Sequence, residues 1–201
     1  MNYSAKRLTD VVFSASALII SAPLMAGVAL AIRLTTGRPL LYRQTRPGYK
    51  GRPFTLLKFR TMASTREARG RLLPDAERLT PIGRLLRQLS LDELPQLWNV
   101  LRGDMSLVGP RPLLMQYMDR YTPEQSRRHD VKPGITGWAQ VNGRNLLTWE
   151  QKFQLDLWYV DCQSYWLDIK ILLMTALRAA TAQDINQPGH ATAEEFRGEL
   201  R

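Results

Sequence analysis

From Val11 to Ile32 the chain carries no charged residue. These roughly 22 positions suffice to cross the hydrocarbon core of a bilayer as a straight helix. Lys6 and Arg7 precede the run, and Arg33, Arg38, Arg43 and Arg46 follow it. With basic residues on both flanks, the positive-inside rule favours neither orientation. Pro23 sits at the midpoint, where it removes an intrahelical hydrogen bond and kinks or breaks the helix. A broken helix with two basic ends describes a re-entrant hairpin that dips into one leaflet and returns. A straight spanning helix kinked at Pro23 is the main alternative. A cleaved signal peptide ending near Ala29-Leu30-Ala31 is a third, opposed by the length of the run and the basic, disulfide-free sequence after it.

The remainder is long enough for one domain with a real core, and two would be cramped. The 28 Lys and Arg outnumber the 18 Asp and Glu to give a net charge of +10, which calls for an anionic partner: nucleic acid, an anionic membrane surface or a phosphorylated substrate. Cys162 is the single cysteine, so there is no internal disulfide, in keeping with a reducing compartment. With only His129 and His190 beside it, a structural zinc site is excluded, whereas Mg²⁺ held by carboxylate and substrate phosphate stays open.

The fold class expected is mostly α with a short β-hairpin. Residues 39–42 and 54–60 read as two strands around a turn at Pro47–Gly51. Residues 63–79 form a charged surface connection. Thr80-Pro81 starts a helix, with Thr as N-cap and Pro in the first turn, and Leu85, Leu86 and Leu89 share a face of it. The next helix carries Leu94, Leu97, Trp98 and Leu101 at helical spacing, with Trp98 read as core. Arg127-Arg128-His129-Asp130 reads as a solvated charged run, Asn142-Gly143-Arg144 as a turn, and residues 149–160 as a helix. Residues 166–180 form an interfacial or core helix, too short and too charged for a span. Trp158, Tyr159, Tyr165 and Trp166 stand before it, as aromatics do at a membrane boundary or in an ordinary core. Cys162 reads as buried packing. The expected division is a membrane-associated segment 1–36, a catalytic domain 37–182 and a polar tail 183–201.

The chemistry concentrates between Ser90 and Pro112. Asp92 and Glu93 open a helix that ends at Gly103, and Pro110-Arg111-Pro112 follows as a rigid turn. Ser90-x-x-Glu93 also fits a capping box, so Glu93 can cap while Asp92 reacts. A diphosphate substrate needs cations around its phosphates and a nucleophile in line with the leaving group. Lys58, Arg60, Arg87 and Arg111 are the cations proposed, with Arg111 foremost because guanidinium binds phosphate bidentately. Asp92 is the expected nucleophile, forming an acyl phosphate. The helix N-terminus and the arginines are expected to hold its pKa low. Glu93 either orients a metal or accepts a proton, and Mg²⁺ would bridge Asp92 and the phosphate oxygens.

Several blocks together carry a resemblance: Lys6-Arg7-Leu8-Thr9-Asp10, Gln44-Thr45-Arg46-Pro47-Gly48, Lys58-Phe59-Arg60-Thr61-Met62, Leu91-Asp92-Glu93-Leu94-Pro95-Gln96, Gly103-Asp104-Met105-Ser106, Val108-Gly109-Pro110-Arg111-Pro112 and Lys132-Pro133-Gly134-Ile135-Thr136-Gly137. In this order the chain resembles the bacterial sugar transferases, the monotopic phosphoglycosyl transferases. The resemblance implies a re-entrant helix on the cytoplasmic face of the inner membrane, in contact with anionic lipid. It further implies a UDP-sugar and a polyprenyl phosphate as substrates, a covalent sugar-phosphoryl aspartate at Asp92 beside Glu93, release of UMP and a Mg²⁺ requirement. Arg87 and Arg111 match positions the family uses around the phosphates. The tail Gly189–Phe196 is similar to the branch acting on UDP-linked diacetylated bacillosamine, an acetamido sugar. Relatives often have Ser-Pro at the membrane break, where this chain has Ala22-Pro23.

Two rivals remain. One is a membrane-tethered basic protein that binds nucleic acid or anionic lipid without catalysis; it calls for clustered cations with interleaved aromatics, whereas these arginines scatter among apolar and carboxylate blocks and no nucleic-acid motif occurs. The other is a one-step transferase in which Asp92 holds metal instead of attacking. The sequence says nothing of oligomeric state.

Overall fold

The computed structural model describes residues 3–63, 73–143, 146–181 and 195–198. Much of the expected surface connection, Arg144 and the tail from Gln183 to Glu194 lie outside the described residues. The chain opens with α1 (Tyr3–Thr35). A hairpin follows, β1 (Leu41–Pro47) and β2 (Pro53–Phe59), paired antiparallel from Leu41 opposite Phe59 to Pro47 opposite Pro53. After a short α2 (Asp75–Arg78) come α3 (Pro81–Gln88), a 3₁₀ turn at Leu91–Glu93 and α4 (Gln96–Arg102). β3 (Ser106–Val108) is followed by a 3₁₀ segment at Met115–Arg120 and α5 (Pro123–Ser126). A 3₁₀ turn at Arg127–His129 leads into β4 (Gly134–Thr136), which pairs parallel with β3. Then come α6 (Trp138–Val141), α7 (Trp149–Cys162) and α8 (Tyr165–Thr181).

Local chemistry accounts for the boundaries. Thr80 caps α3 by accepting from the Gly83 N–H, with Pro81 in the first turn, as the dipeptide predicts. Thr148 and Gln151 form a reciprocal capping box on α7. α4 stops at Gly103, whose φ of +90° takes the left-handed conformation that ends a helix without steric penalty. The carbonyls left at that end, those of Val100 and Leu101, accept from Arg7 Nη1 and Nη2 at 2.6 and 2.7 Å.

Arg7 belongs to a series of α1 residues that fasten the apolar helix to the body. Lys6 Nζ is buried and donates to Asp168 Oδ2 at 2.5 Å and to the Val108 carbonyl at 3.1 Å. The Tyr159 hydroxyl closes the group by donating to Asp168 Oδ1 at 2.6 Å. One turn on, Asp10 Oδ1 accepts from Ser106 Oγ and the Leu107 N–H. Ala17 and Leu18 then pack on the main core of Leu56, Leu97, Val100, Met105, Val108, Tyr159 and Ile171. Farther along, Val28 and Ile32 pack with Phe59 and Leu86 in a second cluster, joined by Met25 and Ala29. One stripe of α1 therefore faces the same body from Lys6 to Ile32. The helix runs uninterrupted through Pro23, in contrast to a full break there. Proline lacks only its own N–H, and the neighbouring turns keep theirs.

The outward surfaces are apolar. Ile19 and Ile20 on α1 and Trp166, Leu173 and Leu177 on α8 are all exposed. Apolar exposure on this scale marks a lipid or partner contact. Three expectations are corrected. Trp98 is 52% exposed, because α4 buries Gln96, Leu97, Asn99 and Val100 and leaves the indole on its far side. Of the three leucines of α3, Leu86 enters the core while Leu85 and Leu89, one turn apart, face outward. Cys162 is exposed at the end of α7, where the chain leaves the core.

Candidate active site

Four elements converge on the Asp92–Glu93 pair. β2 carries Lys58, the 3₁₀ turn carries Asp92 and Glu93, the last turn of α3 carries Arg87, and the loop after β3 carries Arg111. Asn99 ties α4, which follows the 3₁₀ turn, to β2. Fully buried in α4, it accepts from the Leu57 N–H at 3.1 Å and donates to the Thr55 carbonyl at 2.7 Å. Its amide thus takes the place of a neighbouring strand and sets the height of Lys58. Gly83 lets α3 lie against the end of β2, since a Cβ there would stand 1.9 Å from the Thr61 carbonyl oxygen. The Arg111 turn is seated by backbone on backbone. A Cβ on Gly109 would stand 2.3 Å from the Lys132 carbonyl oxygen, and one on Gly134 2.1 Å from the Gly109 nitrogen. Only glycine permits such an approach, which accounts physically for the Val-Gly-Pro-Arg-Pro and Lys-Pro-Gly-Ile-Thr-Gly blocks.

Glu93 Oε1 accepts from Lys58 Nζ at 2.7 Å and from Arg111 Nη2 at 2.5 Å. The capping-box reading of Ser90 and Glu93 is therefore corrected. Ser90 adopts a left-handed conformation, φ +54°, makes no side-chain cap, and leaves the Glu93 carboxylate to the two cations. Asp92 is also buried, yet its carboxylate makes no hydrogen bond or ion pair among the described residues. Arg87 Nε donates to Thr61 Oγ1 at 3.1 Å and its charge is felt by Asp92. Arg60 is directed elsewhere: Nε donates to the Met62 carbonyl and Nη1 to the Arg38 carbonyl, both at 2.8 Å. The structure thus brings Lys58, Arg87, Asp92, Glu93 and Arg111 together, and engages Arg60 with backbone.

The two carboxylates are driven apart. Burial alone would raise Glu93, but Arg111 and Lys58 hold it well below the usual carboxylate range. Asp92 is raised, first by burial and then by the Glu93 charge, with Lys58, Arg111 and Arg87 opposing. This corrects the expectation of a low pKa. The turn carrying Asp92 is a single 3₁₀ turn capped by no side chain, so it offers little dipole, and the charge acting on it most strongly is another carboxylate. Burial lowers Lys58 against the pull of Glu93, while the Glu93 charge raises Arg111. The arrangement separates the two carboxylates: Glu93 is paired with two cations, and Asp92 has no hydrogen-bond or ion-pair partner among the described residues.

That donor set bears on a metal. No group of three or more His, Cys, Asp or Glu side chains lies together among the described residues. Mg²⁺ commonly binds through one or two carboxylates, substrate phosphates and water. The unpartnered, buried Asp92 carboxylate fits that mode; Glu93, already paired twice, is the poorer donor.

Four features escaped the sequence reading. Arg46, at the end of β1, has Nε and Nη2 on Gln44 Oε1 at 3.1 and 2.6 Å and Nη1 on the Pro112 carbonyl at 3.3 Å. Arg128 and Asp156 form a fully buried pair at 2.6 Å, and Arg128 Nη2 also donates to the Arg111 carbonyl at 2.9 Å. His129, read as solvated, is buried beside Tyr121, because the 3₁₀ turn tucks it under the hairpin loop at Gly48. Phe196 of the tail is buried among Tyr117, Tyr121, Trp149 and Phe153. A lone aromatic in a polar tail was the only signal for that last contact.

Fold and site together define a mostly helical protein with a long apolar N-terminal helix and a buried carboxylate pair set among Lys58, Arg87 and Arg111. Residues 1–182 match the family described as Bacterial sugar transferase, and the chain belongs to that family. It is 54% identical over 193 residues to the "Uncharacterized sugar transferase EpsL" of Bacillus subtilis (strain 168), covering 96% of each chain. It is 44% identical over 185 residues to the "UDP-glucose:undecaprenyl-phosphate glucose-1-phosphate transferase" of Caulobacter vibrioides, with 85% of this chain and 67% of that one aligned. Against the "Undecaprenyl-phosphate galactose phosphotransferase" of Salmonella typhimurium it is 41% identical over 189 residues, and the alignment spans only 39% of that relative's length.

Proposed function

We propose that this protein transfers a sugar 1-phosphate from a UDP-sugar to undecaprenyl phosphate, releasing UMP. The observation that carries the reading is Asp92: a buried carboxylate without a partner among the described residues, beside a second carboxylate that holds Lys58 and Arg111 in place. In the proposed reaction an Asp92 oxygen attacks the phosphorus that bears the sugar. The bond from that phosphorus to UMP breaks, and UMP departs with the electron pair. An oxygen of undecaprenyl phosphate then attacks the same phosphorus, expels the Asp92 carboxylate and yields the sugar-linked undecaprenyl diphosphate. Lys58, Arg111 and Arg87 offset the negative charge that builds on the phosphoryl oxygens, as preorganised cations do in a site shielded from water. Mg²⁺ held by Asp92 and the phosphates would reduce the repulsion between anionic nucleophile and anionic substrate.

The membrane reading is re-entrant, at the cytoplasmic face, with Pro23 bending α1 and not breaking it. A straight α1 would be about 50 Å long, well beyond the roughly 30 Å of a hydrocarbon core. Between Leu18, on the main core, and Met25, on the second cluster, lie only residues 19–24. At about 1.5 Å per residue they cannot cross a bilayer, which supports a helix lying in one leaflet with the body against it.

For the donor sugar, diacetylated bacillosamine or a related acetamido sugar is proposed from the tail motif Gly189–Phe196. The names of the relatives favour a second reading, glucose or galactose. UMP release in mild detergent with Mg²⁺ and undecaprenyl phosphate, across UDP-acetamido sugars, UDP-glucose and UDP-galactose, separates the two. UMP from one donor, absent with Asp92→Asn, supports the reaction and names the sugar. UDP in place of UMP would refute phosphoryl transfer.

A further inference from the structure

We infer that Arg46 is a phosphate-binding residue of this site, forming with Arg111 a two-arginine clamp on the diphosphate of the donor; this rests on the transfer reaction proposed above. The carboxylates at the centre are Asp92 and Glu93, and Glu93 is taken by Lys58 and Arg111. Arg46 reaches the Arg111 turn from β1, its Nη1 on the carbonyl of Pro112, the residue after Arg111, and close enough for the Arg111 charge to act on it. It is half-buried and has no carboxylate partner among the described residues. A guanidinium carries five N–H donors. Three are engaged, two by Gln44 Oε1 and one by Pro112, and two have no acceptor among the described residues.

A partly buried cation next to another cation, without a counter-ion, is unfavourable unless an anion completes it. The surroundings express that tension. Burial and then the Arg111 charge both make Arg46 give up its proton more readily than a free arginine, with only the weak opposition of Tyr42, Tyr117 and Tyr121. The side chain is nonetheless pre-formed. Gln44, two residues back on the same strand, grips the Nε–Nη2 edge of the fork, and Pro112 ties it to the segment bearing Arg111. A planar fork held on one edge with spare donors suits bidentate contact with phosphate oxygens. The diphosphate would supply the counter-charge that Arg46 lacks among the described residues.

The test measures UDP and uridine binding to the full-length protein in mild detergent by calorimetry, for wild type, Arg46→Gln and Arg46→Lys. The clamp predicts that Arg46→Gln weakens UDP by about ten- to a hundredfold, the range for one lost charge-assisted contact. Uridine, without phosphate, should bind all three proteins alike, and Arg46→Lys should recover part of the UDP affinity by restoring the charge. Equal UDP affinity in wild type and Arg46→Gln overturns the clamp while leaving the transfer reaction intact. Parallel losses for UDP and uridine also overturn it, because they assign Arg46 the structural task of seating the Pro112 turn. A wild type that binds no UDP overturns the transfer reaction and the clamp together.

Discussion

Replacing Glu93 with Gln tests whether the carboxylate is spent on holding cations. The amide keeps the volume and one acceptor but removes the charge from a group bonded to Lys58 at 2.7 Å and Arg111 at 2.5 Å. Breaking a fully buried pair by deleting one partner costs about 3–5 kcal/mol. Here the Arg111 side chain is 40% exposed, so solvent screens that end of the contact, and the remaining oxygen still accepts. A loss of about 2–3 kcal/mol at neutral pH is expected, or about 4–12 °C in Tm for a chain of this size. The pH dependence fixes the cause. Glu93 is more acidic folded than its ordinary 4.5, so its contribution is complete above that value and disappears as the pH falls toward the folded one. The gap between wild type and Glu93→Gln should therefore be full at neutral pH and narrow below about pH 4.5. Thermal melts in mild detergent across that range supply the measurement. Equal Tm values at neutral pH, or a gap that widens on acidification, would refute the reasoning.

Three further outcomes follow from the packing. Asn99→Leu strands the Leu57 N–H and the Thr55 carbonyl and should cost about 2–4 kcal/mol in denaturant titrations, about 1–2 for each of two part-buried groups, in the lower part of the range for an orphaned group. His129 is held down to about 4 from 6.5, by burial and then by Arg128. Its contribution is complete above pH 6.5 and is lost as the pH falls toward 4, on the order of 3 kcal/mol, and His129→Gln should flatten that part of the stability curve. Phe196→Ala should cost up to about 3 kcal/mol, appearing first as faster amide exchange at Tyr117 and Phe153, the walls of its socket.

What was legible in the sequence was local. Thr80-Pro81 carries its helix start in two residues, the hairpin follows from strand pattern and turn glycines, and Asp92, Glu93, Lys58, Arg87 and Arg111 stand in blocks of their own. What was hidden depended on which distant group each residue met. Ser90-x-x-Glu93 has capping-box spacing, but Lys58 and Arg111 compete for the carboxylate more strongly than a backbone N–H does. Arg128 and His129 sit in a charged run, yet Asp156, some 28 positions away, buries one and the Gly48 loop covers the other. The Asp92 pKa turned the other way because burial and a neighbouring carboxylate outweigh three cations, a balance that only three-dimensional distances decide. Trp98 satisfied the helical period and still faces outward, because Asn99 claimed the core side of α4 as a staple for β2.

The central claim is that Asp92 carries the sugar phosphate. Incubating the purified protein with Mg²⁺ and its UDP-sugar alone, without undecaprenyl phosphate, then acid-quenching and mapping peptides by mass spectrometry, tests it most directly. The account predicts a phosphosugar on the Asp92 peptide, matched by an equivalent of UMP, discharged when undecaprenyl phosphate is added and absent from Asp92→Asn. UMP that forms only when both substrates are present, with no adduct at any quench time, would contradict it and make Asp92 a ligand in a one-step transfer.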